Sequence, residues 1–331
     1  SGITLLGGIT VTAESIKLDE AGTLGADVSM SGGTLDVDKT STISGALTQS
    51  GDIEIDVKAG EVLTYSGAAV SLGAKTLTLK GGGTLGNTNA LVLNDASSKL
   101  LLNSITVGKV STSLANSGLD VDANSSVTSL TVGYTTPVSI ASGITLSGGI
   151  TVTGGSIKLD EAGTLGSTVS MSGGTLDVDN SSTLSGTLTQ SGAITIDVAD
   201  GKTLTYSGAA VNLGAYTLKM SGGGTLSNTY AFALNDASSK LQLNSITVAK
   251  VSTSAVSLGL DVDANSTVTS LTVGHLATPV SIADGITLSG GITVTAGSIK
   301  LGEAGTLGST VSMSGGTLDV DETLTVSGAL T

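Results

Sequence analysis

Hydrophobic and polar residues alternate in short runs along the whole chain. Ile-Thr-Val-Thr, Leu-Asp-Val-Asp and Ile-Thr-Ile-Asp-Val are typical. Period-two alternation over four to six residues is the mark of a β-strand with one face buried. Between the runs stand Gly-Gly, Ser-Gly or Asn-Asp-Ala-Ser, which are turn formers. No stretch holds a 3.6-residue period with caps, so no helix is expected.

The pattern also recurs on a longer scale. The text from Ser142 to Asp179 occupies Ser1 to Asp38, lightly edited, and returns at Asp284 to Asp321. Gly2, Gly143 and Gly285 mark equivalent points, 141 and 142 residues apart. A repeat this long decides the architecture before any local reading does. It divides the chain into module 1 (residues 1–141), module 2 (142–283) and the opening of a third (284–331), expected to form one continuous body.

Each module divides again into about seven pieces of roughly 20 residues, each with strand runs and turns. Like residues fall in like places from piece to piece. Inward pairs along one strand read Ile157/Leu159, Leu176/Val178, Ile194/Ile196, Leu218/Met220, Leu241/Leu243, Leu260/Val262 and Val280/Ile282. The expected fold is therefore all-β: a parallel β-helix, or β-solenoid, with about seven coils per module. Right-handedness is expected by analogy with the crossover rule and is not read from the residues. Sixteen or so coils at about 4.8 Å would make a rod on the order of 75–80 Å long.

Composition fits thin, closely stacked coils. There are 48 Gly, 2 Pro, 1 Phe, no Trp and no Cys among 331 residues. The net charge of −14, with no arginine, speaks against nucleic acid, which needs basic clusters. No apolar run approaches the roughly 18 residues of a membrane-spanning helix, so no membrane insertion by this segment is expected. The chain begins and stops inside modules, which reads as a segment of a longer protein. Without cysteine there is neither a disulfide framework nor thiol chemistry.

Catalytic chemistry finds little to build on. One histidine, His275, serves the whole chain. It lies in the loop where module 2 carries one residue more than module 1, opposite Tyr134, and reads as a solvated loop residue. The glycine runs Gly81–Gly83 and Gly222–Gly224 lead into strands, whereas phosphate loops lead into helices. Polysaccharide-cleaving enzymes do use parallel β-helices, but they need a unique cluster of acids and sugar-stacking aromatics. A duplicated chain without tryptophan offers none, so no enzymatic activity is expected.

Two outward columns carry candidate chemistry. On the strand above, Asp160, Asp179 and Asp197 follow one another on consecutive coils, and module 1 repeats them as Asp19, Asp38 and Asp56, with Asp36 and Glu54 beside them. Stacked carboxylates repel, and a hard cation with oxygen ligands would relieve them, so calcium is the expected ion if this column binds one. Lys17, Lys158 and Lys300 in the neighbouring column could instead balance a solvated acidic stripe. The second column is threonine: Thr145, Thr164, Thr183, Thr203, Thr225 and Thr247. Flat threonine ladders are one way a solenoid binds ice, although threonine also suits any exposed strand face.

The segments SGGTLDVD, SGGITVTGGSI and SGALTQSG resemble repetitive bacterial surface proteins: autotransporter passengers, filamentous-haemagglutinin-like adhesins and fibre proteins. The resemblance implies an extracellular, cell-surface location and a role as stalk, adhesin or fibre. The expected function is the structural shaft of a surface filament, sheath or giant adhesin, with copies of itself as partners, end to end or side by side. A binding module for host or surface glycan is the alternative.

Overall fold

A computed structural model describes all residues except 1, 2, 117, 167, 256, 276, 277, 302–304, 309, 321, 322 and 324, and all side chains except those and residues 3, 278, 279, 300 and 301. The described residues hold strands and turns and no helix. The chain forms two compact units, 1–168 and 169–331. Each is a parallel β-solenoid, and the turns number about fifteen among the described residues, against the sixteen or so expected.

A coil of unit 1 has three faces. One coil runs Ser41–Ile43 on face A, Leu47–Gln49 on face B and Ile53–Val57 on face C. The next repeats this as Val62–Tyr65, Val70–Ser71 and Thr76–Lys80. Strands of successive coils pair in parallel: Leu63 with Ser41 on face A, Leu77 with Ile53 on face C. Further along, faces A and B merge. Strand Thr106–Thr112 pairs through Thr106 and Val107 with one strand and through Val110 to Thr112 with another. Unit 2 repeats the arrangement with Thr203–Tyr206, Val211–Asn212 and Thr217–Ser221, and with Thr247–Thr253 as the merged strand.

Alternate residues of each strand point inward. Ile53, Ile55 and Val57 are buried while Glu54 and Asp56 between them are not. Leu35, Leu77, Leu79, Leu100 and Leu102 are wholly buried in unit 1, as are Leu176, Leu218, Met220, Leu241 and Leu243 in unit 2. Removing these aliphatic ladders from water drives the fold, and backbone hydrogen bonds between coils satisfy the peptide groups of the strands.

The inward ladder differs from expectation at one step. Leu176 and Val178 pair with Ile196 and Val198, not with Ile194 and Ile196. Leu218 and Met220 then sit on Ile194 and Ile196 as expected. The strand Ile194–Val198 has five residues and three inward positions, so it receives one neighbour on its last two and the other on its first two. Unit 1 does the same with Leu35 on Ile55 and Leu77 on Ile53.

Corners that bend sharply use glycine. Gly222, at φ 107°, and Gly81, at φ 106°, close the turn after face C. A methyl group there would collide with the carbonyl of Val198 or Val57, in addition to being held at positive φ.

Candidate functional surface

The three faces differ in what they show to solvent. On face C of unit 1, the strands carry Lys17, Asp36, Glu54, Asp56, Lys80, Lys99, Asp120, Asp122 and Lys158. Lys109 is the one charged residue within the strands of faces A and B of that unit. Unit 2 has the same division, with Lys250 as the counterpart. Within the strands, charge is thus gathered on face C.

The register slip rearranges the expected acidic column. Asp56 lies opposite Asp36, not Asp38, and Asp197 lies opposite Asp177, not Asp179. Asp19 and Asp38 fall just beyond the ends of strands Ser15–Leu18 and Thr34–Val37, where the Asp38 amide donates to the Leu18 carbonyl at 3.0 Å. Asp160 lies in unit 1 and accepts from the Ser139 hydroxyl at 2.7 Å. Asp179 and Asp197 lie in unit 2, where Asp197 accepts a short hydrogen bond from Ser221. The stack in unit 1 reads Lys17, Asp36, Asp56, Lys80, so each acid has a lysine on its far side.

Those lysines make ion pairs. The Lys17 amine is 2.6 Å from Asp38 and 3.3 Å from Asp36. Lys80 is 2.7 Å from Glu54 and 3.6 Å from Asp56. Donating hydrogen bonds to Asp38 and Asp36 raises the Lys17 pKa, and accepting the bond from Lys17 lowers that of Asp38. Glu54 likewise raises Lys80. Lys99–Asp120 at 2.9 Å and Lys240–Asp261 at 2.8 Å continue the pattern. The Lys300 side chain lies outside the described residues. Such exposed pairs add little to stability because solvent screens them, but they answer the repulsion that had suggested calcium. Among the described residues, no group of three or more His, Asp or Glu side chains could hold a metal ion.

Faces A and B present hydroxyls. In unit 1, Thr4, Thr23, Thr42 and Thr64 follow one another on successive strands of face A. In unit 2, Thr203, Thr225, Thr247, Thr267 and Ser289 do so. Thr183 pairs with Thr205 and not with Thr203, so the expected single column is two columns side by side. On face B of unit 2 an outward file runs Asn212, Ala233, Ser252, Thr272 and Thr293.

Buried polar groups serve the coil itself. The Tyr65 hydroxyl donates to the Ala68 carbonyl at 2.6 Å and accepts from the Leu47 amide at 3.1 Å. Tyr206 makes the same two bonds, to Ala209 and from Leu188. The Asn87 amide donates to the carbonyls of Asn89 and Lys109, and Asn228 does the same to Tyr230 and Lys250. His275 is half-buried, with Nδ1 enclosed, and is not the solvated residue expected of that loop. Its counterpart Tyr134 is exposed.

Comparison of the chain with family models, with curated proteins and with solved structures finds no match.

Proposed function

We propose that the chain is part of the shaft of an extracellular surface filament, sheath or giant adhesin, and that it associates with copies of itself. One observation carries this reading: the repeat is geometric down to its exceptions. Ser104 and Ser245, one module apart, are the only non-glycine residues at positive φ among those described, at 57° and 55°. The tyrosine and asparagine bonds of one module recur in the next. A protein whose product is length repeats the same coil and the same surface, because each coil contacts only its neighbours and can be added indefinitely.

The mechanism is mechanical. Stacked coils supply length and stiffness, and the charge of −14 keeps long particles apart in solution. Faces A and B, nearly free of charge, are where copies could lie side by side with least repulsion. The surface location rests on the resemblance to repetitive bacterial surface proteins.

Negative-stain electron microscopy of the purified chain, with calcium and with a chelator, tests the proposal. Long uniform filaments are the expected result. Their loss in chelator would assign a metal-dependent role to the acids of face C. Isolated short particles in both conditions would count against self-association.

A further inference from the structure

We infer that face B of unit 2 carries a binding site for a neutral glycan, built around Tyr216 and Tyr230. The inference goes beyond the shaft reading and stands without it.

The observation is a local break in the repeat. Segments 61–112 and 202–253 correspond at an offset of 141 residues, with thirteen differences, and form the same strands. At Lys75 of the first stands Tyr216 of the second, and at Asn89 stands Tyr230. Both tyrosines are exposed, Tyr230 at 55%. Neither is needed by the coil, since unit 1 makes the same coil without them. Exposed aromatic rings at both edges of one face, not required by the fold, offer amphipathic stacking platforms.

Their places suit one ligand. Tyr230 sits at the corner between faces A and B, just before Phe232–Leu234, and Tyr216 sits at the corner between faces B and C, just before Thr217–Ser221. Face B between them is roughly 10–15 Å wide at 3.3 Å per residue. The Tyr216 ring leans over Gly214: a methyl group there would touch its Cδ2 and Cε2 at 3.6 and 3.7 Å. At the equivalent Gly73 of unit 1 there is only open space. The floor between the rings is Asn212 and Ala233, where unit 1 has Ser71 and Val92. Beneath it Phe232 is fully buried, 5.9 Å from the Tyr206 ring.

The chemistry is stacking rings at the edges, an amide between them and hydroxyls continuing along the face. No charge lies on this floor. The nearby Lys250 amine donates to the Thr229 carbonyl at 2.8 Å, and the Asp236 carboxylate accepts from the Ser238 amide at 2.9 Å. A sugar ring offers an apolar face to an aromatic ring and hydroxyls to an amide. An uncharged polysaccharide meets both needs without a charged partner on the floor, and the exposed Lys250 ammonium lies at its edge, bound to the Thr229 carbonyl.

The test is affinity electrophoresis of the full chain in native gels containing a soluble β-glucan, a mannan or hydroxyethylcellulose, with polygalacturonate as the charged comparator. At least one neutral polymer should retard the chain. Tyr216→Lys with Tyr230→Asn should weaken that binding about tenfold or more. The double variant keeps the fold, because it installs the residues that unit 1 already carries. Lys75→Tyr with Asn89→Tyr, combined with Ser71→Asn and Val92→Ala to copy the floor, should add a second site in unit 1. Absence of retardation by every neutral polymer, retardation by polygalacturonate alone, or equal retardation of parent and double variant would overturn the inference. So would sedimentation showing that the tyrosines instead join two copies of the chain.

Discussion

Segments 61–112 and 202–253 are the same coils written twice, and they differ at thirteen positions. Inward differences are conservative: Leu79 against Met220 and Leu91 against Phe232, all fully buried. Outward differences are not. Glu61 becomes Lys202, Lys75 becomes Tyr216, Lys80 becomes Ser221 and Asn89 becomes Tyr230. The ladder pairings are nevertheless the same, Leu77 on Leu100 in one and Leu218 on Leu241 in the other. The backbone is set from inside, and the outer surface is free to acquire chemistry.

The severest way to break this equivalence is a charge in the ladder. Leu77→Asp or Leu218→Asp places a carboxylate at a fully buried site with no partner, and should cost more than about 4 kcal/mol. The urea midpoint of each variant should fall sharply, and by a similar amount. Truncating Phe232 to alanine should cost about 3–5 kcal/mol. Phe232→Leu, which copies unit 1, should cost less than about 1.5 kcal/mol. A larger loss would mean that unit 2 has a core of its own.

Tyr65→Phe and Tyr206→Phe sharpen the comparison further. Each removes a hydroxyl that donates to a carbonyl and accepts from an amide, leaving groups of the coil unpaired. Each should cost about 1–3 kcal/mol, and the two losses should agree. Burial also raises the Tyr206 pKa above the ordinary value near 10. The folded state therefore disfavours the phenolate, and stability should decline as pH rises above 10. Lys17 and Lys80, whose pKa values their carboxylates raise, act in the same direction. A titration of thermal stability toward high pH, with and without Tyr206→Phe, reads the tyrosine's share.

The smallest effect separates the copies at one corner. In unit 1 the Glu61 carboxylate accepts from the Thr40 hydroxyl at 2.7 Å and from the Thr40 amide at 2.8 Å, which lowers its pKa. In unit 2 Lys202 takes that place and donates to Asn180 at 3.0 Å. A lowered carboxylate stabilises above its unfolded pKa and loses that contribution as pH falls through the folded one. Acid below about pH 4 should thus loosen the corner of unit 1 and spare that of unit 2. Amide exchange at Thr40 and at Ser181, measured at pH 3 and pH 6, checks this.

Much of the fold is legible in the residues. Period-two runs and turn clusters locate the strands, and the recurring text implies parallel stacking. The register at Ile53–Val57 and Ile194–Val198 is not legible. Three inward aliphatic residues in a row accept a neighbour at either pair, and hydrophobicity is the same in both registers. That one step moved Asp56 from Asp38 to Asp36, taking the third member out of the expected column. Thr136 shows the same limit: it is fully buried and takes an inward position on Ile157, although it stands two residues from Tyr134 in the expected loop. The tyrosine pair was within reach of the sequence, since aligning the two copies exposes Lys75 against Tyr216. Only the structure shows that the two rings flank one face.

Hydrogen exchange across the two copies tests the central claim most directly. If the coil is set by its inward ladder alone, strands Thr76–Lys80 and Thr217–Ser221, and likewise Lys99–Asn103 and Lys240–Asn244, should be protected to within about tenfold of each other despite their different surfaces. Protection in one copy with free exchange in the other would show that the outward residues shape the coil, and would contradict the account.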